Sequence, residues 1–203
     1  NAMLAAAAVA LRANAEYIIG ENKKDIDSCT RGEQFKDRLM LDEKRIDGIA
    51  RGLEKLTEIE CPVGEILEER TLYNGLKLQR VRVPMGVLGI IYEARPNVTA
   101  DAIALAIKSG NAVVLRGSKD AYLSNAAVTK VIKDAIGNIG YNAEFIQLIE
   151  DVSHEGAAEL MRMNGVVDVL IPRGSAALIQ NAVQNATVPI IETGTGNCPV
   201  YME

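Results

Sequence analysis

Gly86-Val87-Leu88-Gly89-Ile90-Ile91-Tyr92 is an apolar run of strand length, and Glu93-Ala94-Arg95-Pro96-Asn97 leads it into helix-forming residues over 99–109. Gly110-Asn111 stops that helix, and Ala112-Val113-Val114-Leu115 makes a second short apolar strand. The alternation continues downstream. Helices are expected over 121–136, 155–163 and 176–184, strands over 145–148 and 167–171, with 188–191 and 199–202 as further strand candidates. Short apolar strands alternating with helices imply an α/β fold: a Rossmann-like, largely parallel sheet with helices on both faces. Ligands of such sheets bind beyond the carboxyl ends of the strands.

Upstream the pattern differs. Residues 4–27 are rich in alanine and carry Leu11, Ala15, Ile18 and Ile19 at helical spacing, so one amphipathic helix is expected there. A second helix is expected over 42–58, with Asp42 as its cap, after a polar stretch around Thr30 to Gln34. Residues 65–68 and 76–83 alternate apolar and polar positions around Asn74-Gly75, the signature of a half-exposed β-hairpin. The chain thus divides into a helical preface (4–62), a β-ribbon (63–83) and an α/β core (84–203). Asn1-Ala2-Met3 resembles a cleavage scar and is left out of the fold.

A net charge of −5 and a pI near 5.1 argue against a nucleic-acid partner, which needs concentrated basic surface. The apolar runs fall well short of the roughly 20 residues of a bilayer span, and no secretory signal pattern opens the chain, so a cytoplasmic address is expected. Cys29, Cys61 and Cys198 are odd in number and scattered, which suits free thiols better than a metal site or a disulfide framework.

Charge and small residues gather where strands hand over to helices. Arg116-Gly117-Ser118-Lys119 follows one strand and Pro172-Arg173-Gly174-Ser175 another, a pairing that suits two contacts on one extended phosphorylated ligand. No G-x-G-x-x-G accompanies them. In the loop after the first core strand, Arg95 suits a carboxylate or acyl phosphate, and Asn97 suits either that site or a helix cap. Glu192 suits a general base, a ribose ligand or plain exposure. His154, the single histidine, reads as a cap or an exposed residue.

The run from Val83-Pro84-Met85-Gly86 through Tyr92-Glu93-Ala94-Arg95-Pro96-Asn97-Val98-Thr99 resembles the γ-glutamyl phosphate reductase family. Lys108 to Gly117, Ile171-Pro172-Arg173-Gly174 and Ala186 to Glu192 continue the resemblance in order. That family is similar to aldehyde dehydrogenases. The resemblance implies reduction of glutamyl 5-phosphate to glutamate 5-semialdehyde by NADPH in proline biosynthesis, through a cysteine thioester. It makes Arg95 and Asn97 substrate-binding. It makes Arg116, Gly117, Ser118, Lys119, Arg173, Gly174, Ser175 and Glu192 cofactor-binding, with Arg116 at the adenine ribose. Lys119 stands near a place where aldehyde dehydrogenases carry a carboxylate, which suits the 2′-phosphate of NADP. Glu192 aligns with their general base.

The family's catalytic cysteine is expected beyond Glu203, with the catalytic domain absent and the chain inactive alone. A homo-oligomer is implied, and glutamate 5-kinase is the expected pathway partner. The rival readings are another acyl or aldehyde dehydrogenase, the reductase half of a bifunctional proline-synthesis enzyme, and a non-catalytic oligomerisation module built on the ribbon.

Overall fold

The computed structural model describes residues 1–192 and opens with four helices: α1 (Ala2–Ala13), α2 (Ala15–Ser28), α3 (Glu33–Leu39) and α4 (Glu43–Glu58). The single helix expected over 4–27 is two, bent by 70°. Asn14 makes the break: its backbone leaves the helical region, its side chain donates to Ala10 O at 2.8 Å, and its own carbonyl accepts from Ile18 N at 3.1 Å. The bend lets α1 bury Leu4, Ala7, Ala8 and Leu11 while α2 turns Ile18, Asn22 and Asp25 inward. Ala2 and Met3, set aside as a scar, lie within α1, and Asn1 donates from Nδ2 to Thr57 O at 3.1 Å. The polar stretch 30–34 also runs into a helix, α3, instead of staying a linker. Asp42 caps α4 as expected, accepting from Arg45 N at 2.7 Å.

The ribbon is β1 (Ile66–Thr71) paired antiparallel with β2 (Lys77–Val81). Gly75 N donates to Leu72 O at the turn, and Asn74 Oδ1 accepts from Leu76 N. The expected half-burial is not found, because both strands are exposed along their whole length. Alternation along the sequence marks two faces, and among the described residues neither face is covered.

The core is β3 (Val87–Tyr92), α5 (Asn97–Ser109), β4 (Ala112–Arg116), α6 (Tyr122–Asn138), β5 (Ile146–Leu148), α7 (His154–Leu160), β6 (Val169–Arg173) and α8 (Ala176–Asn185). The four strands are parallel in the order β5-β4-β3-β6. The 188–191 candidate contributes one parallel bridge, Leu170 to Ile190, and the 199–202 candidate lies outside the described residues. Gly110, at φ +71°, ends α5 as expected.

Strand alternation sorts the core into two layers. Leu88, Ile90, Tyr92, Val113 and Leu115 pack with α5, α6 and the preface. Ile91 and Leu170 pack with Ala157 and Leu160 of α7 and Ala182 of α8. Both sheet faces are therefore covered, as the continuous apolar runs require. Among the described residues no single helix is long and apolar enough to cross a membrane; α1 and α2 pass that test only as a bent pair.

Candidate active site at the carboxyl rim of the sheet

The register sets the site. Ile91 pairs with Arg116 and Tyr92 with Arg173, so both arginines stand at the carboxyl ends of the two strands that flank β3. The chain runs outward from β3 to β5 and returns to β6 on the other side of β3. The loops after β3 and β6 therefore part company and open a crevice between them.

A cavity of about 670 Å³ lies beneath the rim against α7 and α8, with Arg116, Ser118, His154, Glu155, Arg162 and Asn181 among its walls. Arg116 is not the freely reaching cation its sequence suggests. Its Nη2 donates to Val152 O at 2.7 Å and Ser153 O at 2.5 Å, tying down the loop before α7. Burial pushes the guanidinium pKa down, and nearby Asp151 opposes that shift. Arg116 Nε and Ser118 Oγ are buried and have no hydrogen-bond partner. Buried polar atoms are nearly always paired, so two orphans on one cavity wall mark a place for a polar ligand.

Gly117 is buried for a different reason. A Cβ there would come within 2.2 Å of Asn125 Nδ2 and 3.1 Å of the Tyr92 ring. Behind it Thr99 Oγ1 donates to Asn125 Oδ1 at 2.9 Å and accepts from Tyr92 Oη at 2.7 Å. Burial holds the Tyr92 hydroxyl pKa well above its ordinary value. Lys119 is exposed on a single 3-10 turn, Lys119–Ala121, and does not line the cavity.

Across the crevice, Ser175 caps α8 by accepting from Leu178 N at 3.3 Å and donates to Glu93 Oε1 at 2.5 Å. Gly174 permits that approach, since a Cβ would meet Glu93 Cγ and Cδ at 2.7 Å. Glu93, Arg95 and Arg173 border a second cavity of about 370 Å³, together with Arg38 and Phe35 of α3. An adjoining one of about 420 Å³ shares Arg38 and Arg95 and adds Asn97 and Asp101. Asn97 does not cap α5; its Nδ2 points along the helix to Asp101 Oδ2 at 3.3 Å. Burial raises the Asp101 pKa, with Arg173 and Asn97 opposing it.

The structure thus gathers Arg95, Asn97, Arg116, Ser118, Arg173, Gly174 and Ser175 along one rim. Glu192 is exposed one residue after the hydrogen bond from Ile191 N to Leu170 O. Arg38 was missed, because nothing in the sequence says that a helix of the preface folds over the crevice. Glu93, the residue after β3, is the carboxylate that accepts from Ser175. His154 is the exposed first residue of α7, and Ser153 is the cap, accepting from Gly156 N. Cys29 and Cys61 are free thiols, and neither lines a cavity at the rim; Cys198 lies outside the described residues.

Residues 3–198 match the model of the aldehyde dehydrogenase family. The chain is 52% identical over 193 residues to a γ-glutamyl phosphate reductase of Clostridium botulinum, covering 94% of this chain and 47% of that protein. The crystal structure of the γ-glutamyl phosphate reductase of Thermotoga maritima superposes with a TM-score of 0.94 at 37% identity, covering 98% of this chain and 49% of that one. That of Saccharomyces cerevisiae gives 0.85 at 32%, covering 96% and 50%. An acetylating aldehyde dehydrogenase of Geobacillus thermoglucosidasius shares the fold, with a TM-score of 0.70 at 17% identity over 96% of this chain and 40% of that one. The chain spans about half the length of the curated relatives it matches. With its parallel sheet, its crevice at the strand-order reversal and a match along nearly its whole length, the chain belongs to the aldehyde dehydrogenase family.

Proposed function

We propose that this chain is the dinucleotide-binding half of a reductase that converts glutamyl 5-phosphate to glutamate 5-semialdehyde in proline biosynthesis. The observation that carries the reading is the pair of orphan donors, Arg116 Nε and Ser118 Oγ, buried on the wall of the 670 Å³ cavity. A ribose hydroxyl or phosphate oxygen fits both. The names of the relatives supply the substrate class.

On this reading Arg116 and Ser118 hold the adenosine end of a nicotinamide dinucleotide. Gly174 and Ser175 let its pyrophosphate approach the start of α8, Arg173 adds charge at the rim, and Glu192 is a further ribose contact. Gly117 keeps β4 close to Tyr92, so that the loop carrying Ser118 sits low on the rim. Lys119, exposed just outside the cavity, is the cation for a 2′-phosphate that reaches out of it, favouring NADPH over NADH. A bound dinucleotide would supply the hydride to the acyl carbon after a thiol has displaced phosphate, and the thiol then leaves. Arg95 and Asn97 orient the substrate across the crevice, and the attacking thiol belongs to the part of the relatives' length outside this chain. The exposed ribbon is the surface for a second copy, a kinase acting on glutamate supplies the acyl phosphate, and the site of action is the cytoplasm.

Calorimetry with NADPH and NADH tests the reading, with Arg116→Glu as control. NADPH should bind more tightly, and the variant should lose about tenfold or more in affinity, as expected for removing a charged hydrogen-bonding group. No heat with either dinucleotide refutes it.

A further inference from the structure

The two smaller cavities meet at Arg38 and Arg95, and their charges are unevenly spent. Asp37 and Arg45 also line the 420 Å³ cavity, but they pair with each other at 2.8 Å, and Arg45 donates further to Met40 O at 2.8 Å. Arg38 and Arg95 make no side-chain hydrogen bond or ion pair with any described residue. Asp101 is half-buried, and its one side-chain hydrogen bond is the long one from Asn97, at 3.3 Å. What stays open is two guanidiniums and one carboxylate around a single hollow, which is the complement of an α-amino acid: a carboxylate for the arginines and an ammonium for Asp101.

The main chain that carries Arg38 is held in place. Buried Asn22 donates to Leu39 O at 2.8 Å and accepts from Leu41 N at 2.8 Å, clamping the chain immediately after Arg38. The other hollow carries Tyr92, Glu93, Arg173 and Gly174 at the rim. Glu93 is engaged by Ser175 there, while Arg173 adds a further positive charge to the wall.

The geometry points to an amino-acid headgroup subsite in which Arg38 and Arg95 bind the α-carboxylate and Asp101 binds the α-ammonium of the substrate, with Arg38 the residue that sets specificity. The inference deepens the proposed reaction and rests on it. It adds α3 to the site and gives the helical preface a part in choosing the substrate.

The test runs the reaction in the oxidative direction on the full-length reductase. The aldehyde hydrogen leaves as hydride to NADP, a phosphate oxygen takes its place on carbon, and a proton is released; NADPH absorbance reports the rate. Two aldehydes are compared: glutamate 5-semialdehyde, and butanal, which lacks the headgroup. In Arg38→Ala and Asp101→Asn the ratio of kcat/KM for the first over the second should fall by about tenfold to a hundredfold, with KM for NADP unmoved. Arg38→Lys should recover part of the ratio. Butanal turnover also reports that each variant is folded. If the wild type prefers glutamate 5-semialdehyde and Arg38→Ala keeps that preference, the subsite falls while the reaction stands. If the wild type oxidises butanal but not glutamate 5-semialdehyde, the proposed reaction fails and takes the subsite with it.

Discussion

Replacing Gly117 by alanine separates a residue that holds the rim together from one that touches a ligand. The added methyl would sit 2.2 Å from Asn125 Nδ2, so the amide must retreat by more than about 1 Å to reach ordinary contact. It has nowhere to go: Asn125 and Tyr92 are 1% exposed and Thr99 is fully buried. Overpacking of this kind costs about 1–3 kcal/mol. Losing the Thr99 to Asn125 hydrogen bond strands a buried polar group for a further 1–3 kcal/mol or so. The expected loss is about 2–6 kcal/mol, a large share of the roughly 5–15 kcal/mol available to a domain, and Tm should fall by roughly 10 °C. Urea denaturation of Gly117→Ala, Asn125→Ala and the double variant measures it. Removing the Asn125 amide makes room for the methyl, so the double variant should cost less than the sum of the singles by about 1 kcal/mol or more. Strict additivity, or a loss below about 0.5 kcal/mol for Gly117→Ala, would refute the packing argument.

Ser118→Ala removes a buried hydroxyl with no partner, so unfolding should become harder by up to about 1 kcal/mol while dinucleotide affinity drops; a variant that binds as well as the parent would show that the hydroxyl does not serve the ligand. Asp25 caps α6 from another helix, accepting from Ser124 N at 2.8 Å and Leu123 N at 3.3 Å, so Asp25→Ala should lower stability by about 1–3 kcal/mol in a denaturation curve. Burial raises the Asp25 pKa above its unfolded value, so its contribution is complete below that value and is lost as pH rises through the folded one. The cost of Asp25→Asn, which does not titrate, should therefore shrink as pH rises above the ordinary carboxylate range, and a cost that grows with pH would contradict the assignment. Asn22→Ala leaves Leu39 O and Leu41 N without their buried partner and should cost about 2–3 kcal/mol, read from the same curves, with a weaker preference for the amino-acid substrate.

What the sequence made legible follows from which interactions are local. Strand and helix periods in the core, the Gly110 stop and the Asp42 cap are written in neighbouring residues, and each lies where it was expected. The break at Asn14 was not legible, because an alanine-rich segment favours one continuous helix, while the packing of α1 and α2 against α4 and α6 joins residues far apart in the chain. For the rim, residue types after each strand pointed to the right edge of the sheet but not to what each residue does there. Arg116 looks like a free cation until the loop carrying Val152 and Ser153 folds back on it. Arg38 carried no signal at all, since its place over the crevice depends on Asn22, sixteen positions earlier and on another helix.

The sheet also partitions the proposed labour. The proposed dinucleotide cavity is walled by α7, α8 and the ends of β3 and β4, whereas the proposed headgroup hollow is made by α3, α4, the loop after β3 and α5. Tyr92, Glu93 and Ser175 border both the dinucleotide cavity and the hollow that adjoins the headgroup site, and the Ser175 to Glu93 hydrogen bond spans that boundary. On the proposed reading, hydride donor and acyl carbon meet over β3, the strand at which the strand order reverses. Substitutions in the preface should then alter which substrate is chosen and leave dinucleotide affinity alone, while substitutions around Ser118 should do the converse. Disturbing Glu93 or Ser175 should affect both, because with Tyr92 they line the dinucleotide cavity and also the hollow that adjoins the headgroup site.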